Sequence, residues 1–133
     1  MQQVDGEFTT AKGKEEMARL LDQYEDIDVV VSQNDDMTFG ALEAIREAGK
    51  TAGANGDITV ISFDAVDAGV ELVRNGEINI DVQCNPDQGK YVEQIIQDME
   101  AGKEIEKAYY VPERVYTQEN VGEEENVTEG ISG

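Results

Sequence analysis

The side chains best suited to chemistry in this chain follow apolar runs. Gln33, Asn34 and Asp35 come just after residues 27–31, Asp64 follows residues 58–63, and Gln83 follows residues 78–82. The amides of Asn and Gln each offer a donor and an acceptor in one plane, and a carboxylate accepts at both oxygens. Such a set matches neighbouring hydroxyls two at a time. Phe8 adds an apolar ring able to lie against the C–H face of a sugar ring. Amides, one carboxylate and an aromatic suit a neutral polyhydroxylated ligand, a carbohydrate.

Each residue also has a plainer reading. Asn34, Asp35 and Asp64 each precede a helical pattern, where Asn and Asp cap free backbone N–H groups. Gln83 can simply end a strand, and Phe8 can staple onto the helix that follows it. Asp35 and Asp36 would serve a small phosphoryl-transfer enzyme as a carboxylate pair, but adjacent residues diverge at a helix start, and no third ligand stands at a recognisable spacing. The lone Cys84 lacks a neighbouring His or basic group to activate it and reads as a small buried residue. It has no partner for an intrachain disulfide.

Composition narrows the classes further. The 133 residues carry 10 basic and 30 acidic side chains, a formal charge of −20, and no histidine. Phosphate backbones and anionic lipid surfaces repel such a chain, so no nucleic acid and no membrane surface is expected as a partner. Without histidine there is no imidazole base, no His-based triad and no His-built metal site. No metal, no cofactor and no enzymatic activity are expected. The first six residues lack the basic and apolar regions of a signal peptide, and no run approaches the roughly 20 apolar residues of a membrane span.

These residues must be positioned by alternating elements. Met17, Leu20, Leu21 and Tyr24 fall at helical spacing and predict a helix from Thr10 to Gln23 or Tyr24. Residues 27–31 form a β-branched run expected to be a strand buried on both faces. Met37, Gly40, Ala41, Ala44, Ile45 and Ala48 predict a second helix ended by Gly49. Residues 58–63 predict a second strand, 67–74 a short helix stopped by Asn75-Gly76, and 78–82 a third strand. Asn85-Pro86 reads as a cap with proline at the first helical position, opening a helix with Tyr91, Val92, Ile95, Ile96 and Met99 on its apolar face and Gly102 at its end. Residues 108–116 form an extended segment that Pro112 confines to an edge or a crossing position. Residues 118–133, rich in glutamate, read as a disordered tail, with the glycosylation triplet Asn126-Val127-Thr128 inside it. The pattern is α/β, a parallel sheet with helices on both faces. It opens on a helix with few strands, as though it began partway through a larger unit.

In order, Gly6-Glu7-Phe8-Thr9-Thr10-Ala11-Lys12-Gly13-Lys14, then Ser32-Gln33-Asn34-Asp35-Asp36-Met37 with Gly40-Ala41 and Glu47-Ala48-Gly49, then Ile61-Ser62-Phe63-Asp64-Ala65, and Val82-Gln83 before Pro86-Asp87-Gln88 resemble one family. It is the type I periplasmic sugar-binding proteins, the solute-binding components of ABC sugar importers, with ribose, galactose and galactofuranose binders among them. The likeness covers residues 4 to about 120 and falls on the second, C-terminal half of such proteins. It implies a three-layer parallel-sheet lobe of the periplasmic binding protein type I fold, incomplete because the first lobe is absent.

By this resemblance Phe8 stacks on the sugar ring, Asn34 and Asp64 bond its hydroxyls, and Gln83 makes the last polar contact at the hinge, with Cys84 the alternative position. Residues 1–83 are then part of the second lobe, 84–105 a hinge-crossing helix that packs on the first lobe, 106–117 a returning strand and 118–133 the tail. The family's amino-terminal lobe, its export signal and an arginine from the early second lobe are missing, so the chain reads as a fragment holding half a cleft. Its parent would be a periplasmic or lipoprotein receptor docking on an ABC permease. The unpartnered helix 86–103 would fold back on its own sheet or pair with a second copy. The alternative is the effector-binding lobe of a LacI-type transcriptional regulator, which shares the fold.

Overall fold

A computed structural model describes residues 1–123. Residues 124–133, with the Asn126-Val127-Thr128 triplet and most of the expected tail, lie outside the described residues. The elements run α1 (Thr10–Gln23), β1 (Val29–Val31), α2 (Asp35–Glu47), β2 (Thr59–Asp64), α3 (Asp67–Arg74), β3 (Ile80–Gln83), α4 (Gly89–Glu100) and β4 (Val115–Thr117).

Local chemistry sets these bounds. The Thr9 side chain accepts from the Lys12 N–H at the start of α1, and the Asn34 side chain accepts from the Met37 N–H at the start of α2. Each bond satisfies one of the amides that a first turn leaves without a helical partner. Beyond α2 and α3, Gly49 and Gly76 take φ values of +74° and +81°, where a side chain would be strained.

The sheet has the order β1-β2-β3-β4. The first three strands are parallel and β4 runs antiparallel along β3, as expected for a returning edge segment. Pro112 stays outside the ladder. Ile45, Ile58, Val60, Val73 and Ile78 are fully buried where α2 and α3 meet the sheet, and Met17 brings α1 into the same core. Burying one such side chain stabilises by about 1.5–3 kcal/mol. Gly13 and Gly40 let α1 and α2 approach closely. A Cβ at Gly13 would stand 2.5 Å from the Met37 carbonyl oxygen, and one at Gly40 would run into that of Thr10.

The expectation that residues 27–31 form a strand buried on both faces is corrected. β1 is three residues long and lies at the sheet's edge, with Val29 and Val31 55% and 60% exposed. Side chains alternate across a strand, and the register sets Val29 and Val31 beside Thr59 and Ile61, on the face away from α2 and α3. A β-branched run announces a strand; it does not say whether a second layer covers it.

The fourth helix differs too. It begins at Gly89, because Asn85 is engaged otherwise: its Oδ1 accepts from the Asp87 N–H at 2.9 Å and its Nδ2 donates to the Pro112 carbonyl at 3.2 Å. Pro86 therefore sits in a turn and not at a first helical position. No residue of α4 is buried, so the fold-back onto the chain's own sheet is not observed. Residues 118–123, expected to belong to the tail, are held against the fold. Thr117 N–H bonds Asn120 Oδ1 at 2.9 Å, Arg74 donates to the Val121 carbonyl at 3.2 Å, and the Val121 side chain is buried.

Candidate functional site

Open parallel sheets bind ligands beyond the carboxyl ends of their strands, and Asn34, Asp64 and Gln83 all lie there. Asp64 and Gln83 end β2 and β3 and are register partners. Asn34 follows β1 and caps α2. Phe8 precedes α1 in a turn closed by the Thr9 N–H on the Gly6 carbonyl at 3.1 Å. Gly6 is pressed against the Met37 sulfur, which ties the Phe8 turn to the first turn of α2.

Backbone strain marks two of these positions. Among the described residues, four other than glycine have positive φ, in two adjacent pairs: Glu7 and Phe8 at 52° and 56°, Asp64 and Ala65 at 111° and 55°. For a bulky aromatic this conformation is an outlier, and such residues collect at ligand clamps, where the surroundings overdetermine them. Phe8 is 66% exposed, so it does not staple α1. Its ring faces solvent at the cost of a strained backbone.

Buried acids hold the Asp64 turn. Asp35 is the first residue of α2, 1% exposed; its Oδ2 accepts from the Val66 N–H at 2.8 Å and its Oδ1 from the Ser62 hydroxyl at 2.5 Å. Asp81 Oδ1 accepts from the Ala65 N–H at 3.1 Å, and the Cys84 N–H bonds the Asp64 carbonyl at 3.1 Å. The turn that presents Asp64 is thus fastened from α2, from β3 and from the residue after β3. Burial raises the Asp64 carboxyl above the usual range, the Asp35 N–H pulls it back, and the charges of Asp35 and Asp36 add to the rise.

The plainer readings resolve residue by residue. Asn34 is a cap whose carbonyl oxygen is used by Met37 N–H at 3.0 Å, which leaves its NH2 group to donate elsewhere. Asp64 closes β2 and does not cap α3, at whose start Val66 stands. Gln83 Oε1 accepts from the Arg114 N–H at 3.1 Å, again leaving the NH2 end. Asp35 is buried and Asp36 exposed, so the two carboxylates do not act as a pair. Cys84 is exposed, which corrects its expected burial: it lies past the last residue of β3, beyond the sheet's cover. An open hollow is lined by Asp64, Ala65, Val66, Asp67, Gln83, Cys84, Asn85, Pro86 and Gln88. Gln83 and Cys84 both reach it, so the two alternatives at the hinge position remain neighbours on one surface. Phe8 and Asn34 lie outside that hollow.

Sequence reasoning missed Asp81. It is wholly buried in the middle of β3, opposite Ser62. The signal was available, since an acid inside an apolar strand at an inward-facing position demands a partner.

Known proteins resemble this chain in sequence and fold. Residues 2–104 match the family described as periplasmic binding protein domain. The chain is 33% identical over 113 residues to the ribose import binding protein of Bacillus subtilis (strain 168), covering 84% of this chain and 35% of that protein. It is 38% identical over 84 residues to the galactofuranose-binding protein of Escherichia coli (strain K12), covering 61% and 26%. The periplasmic binding protein component of the arabinose ABC transporter from Shewanella sp. ANA-3, solved with alpha and beta-L-arabinofuranose, superposes with a TM-score of 0.76 at 34% identity, over 87% of this chain and 39% of that one. The chain thus spans about a third of the length of the ribose relative.

Proposed function

The chain belongs to the periplasmic binding protein domain family, and from that premise we propose that it forms one wall of a cleft that binds a monosaccharide or small oligosaccharide for an ABC importer. Phe8 stacks on the ring, Asn34 and Asp64 bond hydroxyls, and Gln83 makes the contact nearest the hinge. One observation carries the reading: the two pairs of strained residues at the ligand-binding edge each include one of these four, Phe8 and Asp64. Neither strain serves the core, since Phe8 is exposed and Asp64 only half-buried.

The relatives' ligands support furanose and pentose sugars as the first class to test, because those proteins are named for ribose, galactofuranose and arabinofuranose. A second lobe would supply the opposite wall, and closure of the two lobes would present the receptor, outside the cytoplasm, to its permease. Closure is driven by contacts made only when both walls meet the sugar. The ribose and arabinose relatives are named as import and transport components, which leaves the regulator alternative without support of its own.

A chain with one wall retains a fraction of the contacts, and each tenfold loss of affinity corresponds to only about 1.4 kcal/mol. Ribose, L-arabinose and galactose titrated into the labelled chain should shift the amide resonances of Phe8, Asn34, Asp64 and Gln83 with dissociation constants of about 1 mM or weaker. Micromolar affinity by calorimetry would overturn the one-wall reading. Shifts confined to other residues, or none at saturating sugar, would overturn the site.

A further inference from the structure

Asp35 and Asp81 meet in the interior behind the Asp64 turn. A Cβ placed on Gly69 would lie 2.5 Å from Asp35 Oδ2 and 2.5 Å from Asp81 Oδ2, so the two oxygens look onto the same small space under α3. Asp81 is 0% exposed and its Oδ2 has no hydrogen-bond partner among the described residues. Both remaining oxygens are committed, Asp35 Oδ1 to Ser62 and Asp81 Oδ1 to the Ala65 N–H. Among the described residues no ion pair joins a Lys or Arg to either acid, and no cation is among the groups that act on Asp81. Two buried carboxylates facing each other with no cation between them are strongly unfavourable, and a single proton removes one charge while turning the orphaned oxygen into a donor.

We propose that Asp35 and Asp81 hold one proton between them, and that this carboxyl–carboxylate pair is the clasp positioning the Asp64–Val66 turn for ligand. Asp81 is a positioning residue: it acts on the ligand site through the Ala65 N–H, as Asp35 does through the Val66 N–H. The importance of the turn rests on the reading of Asp64 as a sugar contact; the shared proton itself does not.

The groups facing the pair are few. α2 brings Asp35, the end of β2 brings Asp64 and Ser62, α3 brings Gly69, and β4 sets Tyr116 opposite Asp81 in the ladder. Burial, then the Asp35 charge and the contact a protonated Asp81 makes with Asp35, push the Asp81 carboxyl up to about 7, with the Ala65 N–H opposing and the Asp64 charge adding to the rise. The unfolded chain releases this proton near the ordinary value of 3.8, whereas the folded chain keeps it to about 7. Between those values the unfolded state binds fewer protons, so stability from this group falls as pH rises and levels off above about 7.

The test compares the chain with Asp81→Asn, in which a neutral amide keeps both a donor for Asp35 and an acceptor for the Ala65 N–H. Urea unfolding from pH 4 to 8 should show the folding constant of the parent falling relative to the variant, by up to about tenfold per pH unit, then running parallel to it. The infrared spectrum of the parent at pH 6 should contain a protonated-carboxyl band that fades as pH passes about 7 and is absent from the variant. A pH-independent difference between the two, or no such band in the parent, would overturn the proposal. So would stability at pH 8 that depends on sodium or potassium over choline, since a bound cation would then fill the space. None of these measurements contains sugar, so a failed sugar titration and a failed clasp are separate results.

Discussion

Gly40 of α2 packs against the Thr10 carbonyl of α1 with no room for a Cβ between them. This contact fixes how the two helix starts lie side by side, and those starts carry Phe8 and Asn34. The closeness is an energetic commitment as well as a geometric one, because backbone cannot move aside as a flexible side chain would.

Gly40→Ala is therefore expected to destabilise the chain by about 1–3 kcal/mol, the usual cost of overpacking, even though alanine is the better helix former by about 1 kcal/mol. Urea unfolding measures it. If helix propensity dominated, the variant would be more stable.

Asn34→Ala removes the side-chain acceptor for the Met37 N–H. Loss of a cap of this kind costs about 1 kcal/mol. Asn34→Asp keeps the cap and adds a charge near the positive end of α2, so it should restore stability. It should not restore sugar-induced shifts, because the donating NH2 group is gone. The pair of variants separates capping from ligand contact, two roles that the residue type alone left undivided.

Much of this was legible in the sequence, and the rest was hidden for identifiable reasons. The span of α1 follows from periodicity and the end of α3 from its stop at Asn75-Gly76, and the three residues ending or following strands fall on one edge because parallel strands share a direction. The bare face of β1 was not legible, since Val29, Val30 and Val31 have the same letter but opposite environments. The start of α4 was misjudged because Asn85 can cap a helix or bridge to Pro112, and only tertiary structure chooses. Asp81 went unnoticed because its partner Asp35 lies 46 positions earlier in the chain and only the sheet brings them together.

Ile58 is fully buried where the chain enters β2, and its backbone bonds both Thr51 and Gly53. Ile58→Ala should cost about 2–5 kcal/mol through lost transfer energy and a cavity. Chemical-denaturation midpoints measure the loss. A cost below about 1 kcal/mol would mean that this end of the core collapses around the void, contrary to close packing.

The exposed row Val92, Ile96 and Met99 on α4 makes association of two copies the expected behaviour at high concentration. The net charge of −20 opposes it. Salt screens that repulsion, so sedimentation should show stronger association at 0.5 M than at 0.05 M salt, with a Debye length falling from over 10 Å to under 10 Å. Ile96→Glu should abolish it; association unchanged in that variant would place the contact elsewhere.

Phe8 offers the sharpest separation of stability from binding. Its φ of 56° is a conformation that glycine adopts freely, and its ring is too exposed to contribute much to the core. Phe8→Gly relieves the strain but also loosens the unfolded chain, which works against stability. These opposing effects should leave the folding free energy within about 1 kcal/mol of the parent. Sugar-induced shifts at Asn34 and Asp64 should nevertheless require about tenfold more sugar, the equivalent of about 1.4 kcal/mol, because the proposed stacking platform is gone. If the variant instead lost several kcal/mol of stability and bound sugar as before, the ring would belong to the fold, and its strained backbone would need another explanation.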